Sequence, residues 1–118
     1  MKVLFVDDEA DIREMIEIAL MIEDDIDATY AASGAEAIAL LKTEDFDVIL
    51  LDVMMVPPDG QEVLRVARTL ERHKNTKIIM CTAKTLKEAE TELMEMGADQ
   101  VLHKPFKPVK LAEYLRNN

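Results

Sequence analysis

The chain has 118 residues, of which 49% are hydrophobic and 32% charged, and its formal net charge is −10. This length suits one domain with an ordinary core, and the composition argues against disorder. The acidic balance excludes nucleic acid as an expected partner, because nucleic-acid affinity comes largely from Lys and Arg on phosphates. No apolar run approaches the ~18 residues of a membrane span, and the N-terminal apolar stretch is too short for a signal peptide. We therefore expect a cytoplasmic protein with no membrane partner.

Short apolar runs alternate with helix-length segments along the whole chain. Five runs predict strands, the second and fifth with weaker patterns: Val3–Val6, Ala28–Ala32, Val48–Leu51, Ile78–Cys81 and Val101–Leu102. Helices are predicted after each of them, with connections of a few residues. This order predicts an open, doubly wound α/β fold with right-handed crossovers.

Start and stop signals support the predicted helices. Two pairs have the spacing of capping boxes, Ser33 with Glu36 and Thr85 with Glu88. Gly97 is typical of a helix-terminating glycine, and Pro108 suits a first helical turn. The first helix is predicted to bury an apolar stripe and to point Glu14 and Glu17 away from it; the stripe is Ile12, Met15, Ile16, Ala19 and Leu20.

The sulfur-containing residues are interpreted as core residues. The eight methionines fall mostly on helical or apolar positions, which favours core filling over a metal or partner site. Cys81 lies in an apolar run and is expected to be a buried, reduced thiol.

Polar side chains end four of the five predicted strands. They are Asp7 and Asp8, Asp52, Thr82 and Lys104. Because ligands of such sheets bind beyond the carboxyl ends of the strands, these side chains are predicted to form one site. An oxygen-only set of carboxylates favours Mg²⁺ or Mn²⁺ over zinc, and an aspartate beside such a metal can accept a phosphoryl group. The alternative is a structural ion-pair network among loops.

Five motifs resemble the receiver domain of bacterial two-component response regulators. They are VDDE at Val6–Glu9, LLDVMM at Leu50–Met55, DG at Asp59–Gly60, TA at Thr82–Ala83 and KPF at Lys104–Phe106. The resemblance covers essentially the whole chain. It implies one receiver domain over residues 1–118, standing alone or cut from a longer protein. It also implies a flavodoxin-like three-layer (βα)5 sandwich with five parallel strands in the order 2-1-3-4-5.

The resemblance implies a role for each residue of the site. Asp52 is expected to be the phosphoacceptor, with Mg²⁺, or Mn²⁺ in its place, as cofactor. The expected metal ligands are Asp8, Asp52, the backbone carbonyl of Met54 and, through water, Asp7. Thr82, Ala83 and Lys104 are expected to bind the phosphoryl group and to switch, and the Lys104–Pro105 peptide is expected to be cis.

The resemblance also implies partners. The phosphoryl group is expected to come from a phosphohistidine on a sensor histidine kinase or a histidine phosphotransfer protein. Residues 85–115 are expected to signal to an unknown downstream protein, and the chain to be a monomer or a weak homodimer through this face. Beyond catalysing its own phosphorylation and slow autodephosphorylation, the protein is not expected to be an enzyme.

Several positions depart from the family pattern. Val56 stands where proline is usual, and Pro57 and Pro58 follow it, which predicts a stiffened loop with the spacing to Gly60 kept. Val101 stands where an aromatic ring is usual, so it either weakens the coupling of site to surface or simply fills a pocket. Met54, Lys84 and Val101 are the expected modulating positions. His103 is expected to face the surface.

Two other functions remain open from the sequence. A degenerate receiver could act as a phosphorylation-independent binding or dimerisation module, although the intact acidic, hydroxyl and lysine positions argue against it. A Mg-dependent phosphohydrolase on a similar sheet would commonly carry a second acid two residues after the nucleophile, and this chain has Met54 there.

Overall fold

A computed structural model describes residues 1–83 and 87–117 of the chain. The strands are β1 Lys2–Val6, β2 Asp27–Ala31, β3 Val48–Asp52, β4 Lys77–Thr82 and β5 Gln100–His103. The helices are α1 Ala10–Met21, α2 Gly34–Thr43, α3 Gly60–Thr69, α4 Lys87–Glu95 and α5 Pro108–Asn117, with a short 3-10 helix at Glu71–His73. Among these helices, none combines the length and the hydrophobicity that a membrane crossing requires.

The strands form one parallel sheet in the order β2-β1-β3-β4-β5, which confirms the predicted fold and strand order. Each observed strand differs from its predicted run by one residue at one or both ends. β3 includes Asp52 because its ladder with β4 continues to the pair Asp52 and Cys81. The central position of β3 surrounds Asp52 with neighbouring strands on both sides, so the strand delivers this carboxylate to the middle of the sheet edge.

Helices cover both faces of the sheet. On one face, alternate strand residues pack with α2, α3 and α4, where Leu41, Leu64 and Leu93 are buried. On the opposite face, the remaining strand residues pack with α1 and α5, where Ile16 and Leu111 are buried. This double burial explains why the central strands are continuous apolar runs. Cys81 belongs to the second face and is a buried free thiol, as predicted.

The helix signals are largely confirmed. Ser33 is the N-cap of α2, and its Oγ accepts a hydrogen bond of 3.1 Å from the backbone N–H of Glu36. Glu36 reaches back to the N–H of Ala32 and not to that of Ser33, so the reciprocal bond is displaced by one residue. Gly97 adopts φ of 110° after α4, and Pro108 begins α5. The predicted box of Thr85 with Glu88 includes a residue outside the described ranges.

The predicted apolar stripe of α1 is wrong at Met15. Ile16 and Leu20 are buried, but the Met15 side chain is 49% exposed because its position lies at the edge of the buried face. Core filling is likewise wrong for half of the methionines, since Met21, Met54 and Met94 are also exposed.

Arg68 joins several elements at the end of the sheet opposite the strand carboxyl ends. Its guanidinium donates to the backbone carbonyls of Gly97 at 2.9 Å, His73 at 3.0 Å and Thr76 at 2.7 Å. It also pairs with Asp99 at 2.9 Å. These bonds tie α3 to the start of β4 and to the turn between α4 and β5. Nothing in the sequence motifs signalled this role.

Candidate functional site: an acidic cluster at the carboxyl edge of the sheet

Three carboxylates meet where β1 and β3 end. One oxygen from each of Asp7, Asp8 and Asp52 lies within 4.8 Å of the other two. Asp7 is completely buried and Asp52 is 4% exposed, whereas Asp8 is exposed. The structure therefore brings together the three acids that the sequence singled out. Only oxygen donors are present in this group, which suits a hard cation such as Mg²⁺ or Mn²⁺.

Lys104, which directly follows β5 at the same carboxyl edge of the sheet, completes the charge arrangement. Its Nζ lies 3.1 Å from Oδ1 of Asp52 and 3.3 Å from Oδ2 of Asp7. The backbone N–H of Lys104 donates to the carbonyl of Thr82 at 2.8 Å, which fixes the start of the loop after β5. The Lys104–Pro105 peptide is cis, as expected.

The environment shifts the pKa values of Asp52 and Lys104. Burial raises the pKa of Asp52 above its usual range, Lys104 acts in the opposite direction, and the negative charge of Asp7 adds to the rise. Burial by itself would lower the pKa of Lys104, but the neighbouring carboxylates of Asp52 and Asp7 have the larger effect, and the pKa is raised. One ammonium therefore does not fully compensate this group of acids. A bound divalent cation would supply the missing positive charge.

Backbone contacts hold the acidic residues in place. Oδ1 of Asp7 accepts a hydrogen bond of 2.9 Å from the N–H of Glu9, and the Asp7 carbonyl accepts one of 2.7 Å from Arg13. Oδ1 of Asp52 accepts a longer bond of 3.3 Å from the N–H of Met54. The contact of Arg13 was not anticipated, because its place six residues after Asp7 becomes informative only once α1 is folded.

The loop between β3 and α3 borders the site. Asp59 is the N-cap of α3, and its Oδ1 accepts a bond of 3.0 Å from the N–H of Glu62. Gly60 lies against the end of β3, where a Cβ would come within 2.2 Å of the Asp52 carbonyl oxygen. The DG motif thus anchors the loop beside Asp52. The Met54 and Val56 side chains project outward, 65% and 69% exposed.

The hydroxyl residue Thr82 lies at the end of β4, beside β5. Thr82 is 2% exposed at the end of β4, Ala83 after it is exposed, and Thr82 is in register with His103. Val101 is half-buried and packs against the core under α4. His103 faces the surface, as expected, with Nε2 3.4 Å from a carboxylate oxygen of Glu90 on α4. Lys84 lies outside the described residues.

Comparison with known proteins agrees with this geometry. Residues 3–116 match the family of response regulator receiver domains. The transcriptional regulatory protein SrrA of Staphylococcus aureus is 39% identical over 91% of this chain and 43% of its own length. The chemotaxis response regulator CheY4 of Vibrio cholerae superposes with a TM-score of 0.90 at 37% identity, covering 98% of this chain and 96% of that one.

A further neighbour bears on the acidic cluster. The receiver domain of a sensor histidine kinase from Pseudomonas aeruginosa is 28% identical, with a TM-score of 0.86, covering 98% of this chain and 94% of that one. That structure has a magnesium ion coordinated in its active-site cleft.

This chain belongs to the response regulator receiver domain family. Receiver domains are the phosphoacceptor modules of two-component signalling and are not classical enzymes. The chain spans less than half of the length of the curated relatives that it matches first.

Proposed function

We propose that Asp52 is the phosphoacceptor of this receiver and takes its phosphoryl group from a phosphohistidine on a sensor histidine kinase or a histidine phosphotransfer protein. The observation that carries the proposal is the pairing of Asp52 with Lys104 at 3.1 Å, inside a cluster of three carboxylates. Asp52 ends the central strand, and Asp7 and Asp8, which directly follow β1, lie beside it.

The donor set fits a divalent metal ion. Asp8 and Asp52 would hold Mg²⁺ directly with the backbone carbonyl of Met54, and Asp7 would act through water; Mn²⁺ would substitute. The oxygen-only ligands and the excess of negative charge support this assignment. When bound, the ion supplies charge neutralisation for the phosphoryl oxygens.

The transfer itself needs one nucleophile and one leaving group. An oxygen of the Asp52 carboxylate forms the new bond to phosphorus while the bond from phosphorus to the donor imidazole nitrogen breaks. The imidazole leaves with the bonding electron pair. Lys104 Nζ, which contacts Asp52 before the transfer, would then form an ion pair with an oxygen of the transferred phosphoryl group.

Phosphorylation then favours a second conformation of the site. The added group brings about 1.5–2 negative charges and new acceptor oxygens. Thr82, buried at the end of β4, and Ala83 after it would contact these oxygens, and the equilibrium would shift by the difference in contact energy. The signal would leave through residues 85–115, of which 87–115 are described, towards an unknown protein or a second copy of this chain.

Three positions would adjust this switch. Val101 has no ring that could turn inward, so its packing under α4 would carry less of the coupling than an aromatic side chain. Met54 and Lys84 would influence the attack of water on the phosphorylated Asp52. Slow autodephosphorylation would then set the lifetime of the signal.

A small phosphodonor tests the proposal without the natural partner. Acetyl phosphate with Mg²⁺ should add one phosphoryl group to the wild-type protein, seen by intact mass, and none to Asp52→Asn. A matched variant, Asp24→Asn, removes the same charge from an exposed turn and should still be modified. Absence of any mass shift in the wild-type protein would favour the degenerate binding module instead.

A further inference from the structure

Gly34 lies so close to Pro58 that there is no room for a side chain at position 34. A Cβ on Gly34 would lie 2.0 Å from the carbonyl oxygen of Pro58 and 2.9 Å from its Cγ. Both distances are below van der Waals contact, and the first involves backbone, which cannot rotate away. The N-terminus of α2 therefore packs directly on the loop between β3 and α3.

This loop has little freedom to move elsewhere. At its far end, Gly60 lies against Asp52, and the Gly60 N–H donates to the Val53 carbonyl at 3.3 Å. Before the contact, Pro57 and Pro58 have fixed φ angles, which limits the torsions that could absorb a displacement. A shift imposed on Pro58 is consequently passed back along the loop towards Met54.

We infer that Gly34 is a positioning residue for the metal and phosphorylation site, acting through Pro58 on the loop that carries the Met54 carbonyl. The inference rests on the proposed function, in which that carbonyl is a metal ligand. Gly34 lies on α2 and belongs to none of the motifs of the site. Its link to the site is the close backbone contact with Pro58, and the hydrogen bond of 3.3 Å from Met54 N–H to Asp52 connects the same loop to the phosphoacceptor.

The test is the Mg²⁺ affinity of the full chain, measured by isothermal titration calorimetry. Gly34→Ala should weaken Mg²⁺ binding about 10-fold or more, the range found when groups that orient metal ligands are removed. The control is Gly97→Ala, a second substitution of a tightly placed glycine. Gly97 has φ of 110° and contacts Arg68 at the opposite end of the sheet, so its replacement should lower the melting temperature but leave Mg²⁺ affinity unchanged.

A second variant tests the inference from the loop side. Pro57→Ala with Pro58→Ala frees the torsions of the loop and should itself weaken Mg²⁺ binding about threefold. In this background Gly34→Ala should cost less affinity than it does in the wild-type chain, because the loop can now yield locally. If Gly34→Ala does not fold, the test rests on the double proline variant alone. An Mg²⁺ affinity of that variant equal to the wild-type value overturns the inference.

The outcomes separate this inference from the proposed function. A wild-type chain that binds no Mg²⁺ contradicts the proposed metal site itself. A wild-type chain that binds Mg²⁺, together with a folded Gly34→Ala that binds it equally well, contradicts only the positioning role. Equal losses of affinity in Gly34→Ala and Gly97→Ala would also overturn it, because the effect would then follow from lower stability alone.

Discussion

Nζ of Lys104 lies 3.1 Å from Oδ1 of Asp52, although Asp52 ends β3 and Lys104 follows β5, with β4 between the two strands. The same ammonium is 3.3 Å from Asp7, so one cation lies between two buried carboxylates. The third acid, Asp8, has no such partner among the ion pairs found in the described residues. Lys104 thus serves as the counter-ion of both buried acids, and under the proposed function it would also be close to a phosphoryl group on Asp52.

Removing the ammonium should destabilise the metal-free protein. Lys104→Ala leaves two buried carboxylates without their cation, and we expect a loss of about 1–3 kcal/mol in the free energy of unfolding. Urea denaturation in EDTA measures this loss, and Mg²⁺ should reduce it. Lys107→Ala, an exposed position in the same loop, should change stability little. Equal stabilities of the two variants would contradict the charge arrangement.

Removing the central acid should have the opposite effect. Because burial raises the pKa of Asp52, its charge opposes folding when no metal is bound. Asp52→Asn should therefore raise the melting temperature in EDTA by a few degrees, where 1 kcal/mol corresponds to about 4 °C. Differential scanning calorimetry measures the change, and Mg²⁺ should stabilise the wild-type protein more than the variant.

The same pKa shift predicts a pH dependence. A carboxyl group whose pKa is raised on folding favours the folded state at low pH, and this contribution is lost as pH rises through the raised value. The advantage of Asp52→Asn should thus be largest above the raised pKa of Asp52, decline as the pH falls through it, and disappear below the ordinary aspartate pKa of about 4. An advantage that is constant across this range would indicate a cause other than ionisation.

The Arg68 contacts should matter for stability but not for the site. Arg68→Met removes the donor to four backbone carbonyls, those of Gly97, His73, Lys74 and Thr76, and the partner of Asp99. We expect a loss of about 2–3 kcal/mol in the free energy of unfolding. Arg65→Met is the matched control, since Arg65 is exposed on the same helix. Mg²⁺ affinity should stay unchanged in both variants. A normal unfolding free energy for Arg68→Met would show that water replaces these bonds without cost.

The lone thiol should be unreactive in the folded protein. Burial raises the pKa of Cys81 to about 12, and the thiolate is the reactive form. Iodoacetamide at neutral pH should therefore leave native Cys81 unmodified and alkylate it rapidly in urea. Rapid labelling of the native protein would mean that β4 opens beside Asp52.

The fold could be predicted because each central strand is buried on both faces. Val48–Leu51 must then be continuously apolar, and the polar residue that follows marks the carboxyl edge. Met15 shows the limit of this reasoning, because helical periodicity identifies a face but not the width that neighbouring elements cover. Its side chain lies at the edge of the buried face, where α5 and the loop before it decide exposure.

The acids of the site were predictable because strand ends converge, whereas their contacts were not. The sequence placed Lys104 at the same edge but could not show that it contacts Asp7 as well as Asp52. The approach of Gly34 to Pro58 also escaped prediction, since it joins two segments that are distant in the chain. Such contacts depend on how α2 lies on the sheet, and no local pattern encodes that distance.

The most direct test of Asp52 as phosphoacceptor is to locate the modified residue. The wild-type protein is treated with phosphoramidate and Mg²⁺ and reduced with borohydride, which converts a phosphorylated aspartate into homoserine that peptide mapping can assign. We predict homoserine at position 52 and none in a sample treated without Mg²⁺. Homoserine at position 7 or 8, or at no position, would contradict the claim that Asp52 is the phosphoacceptor.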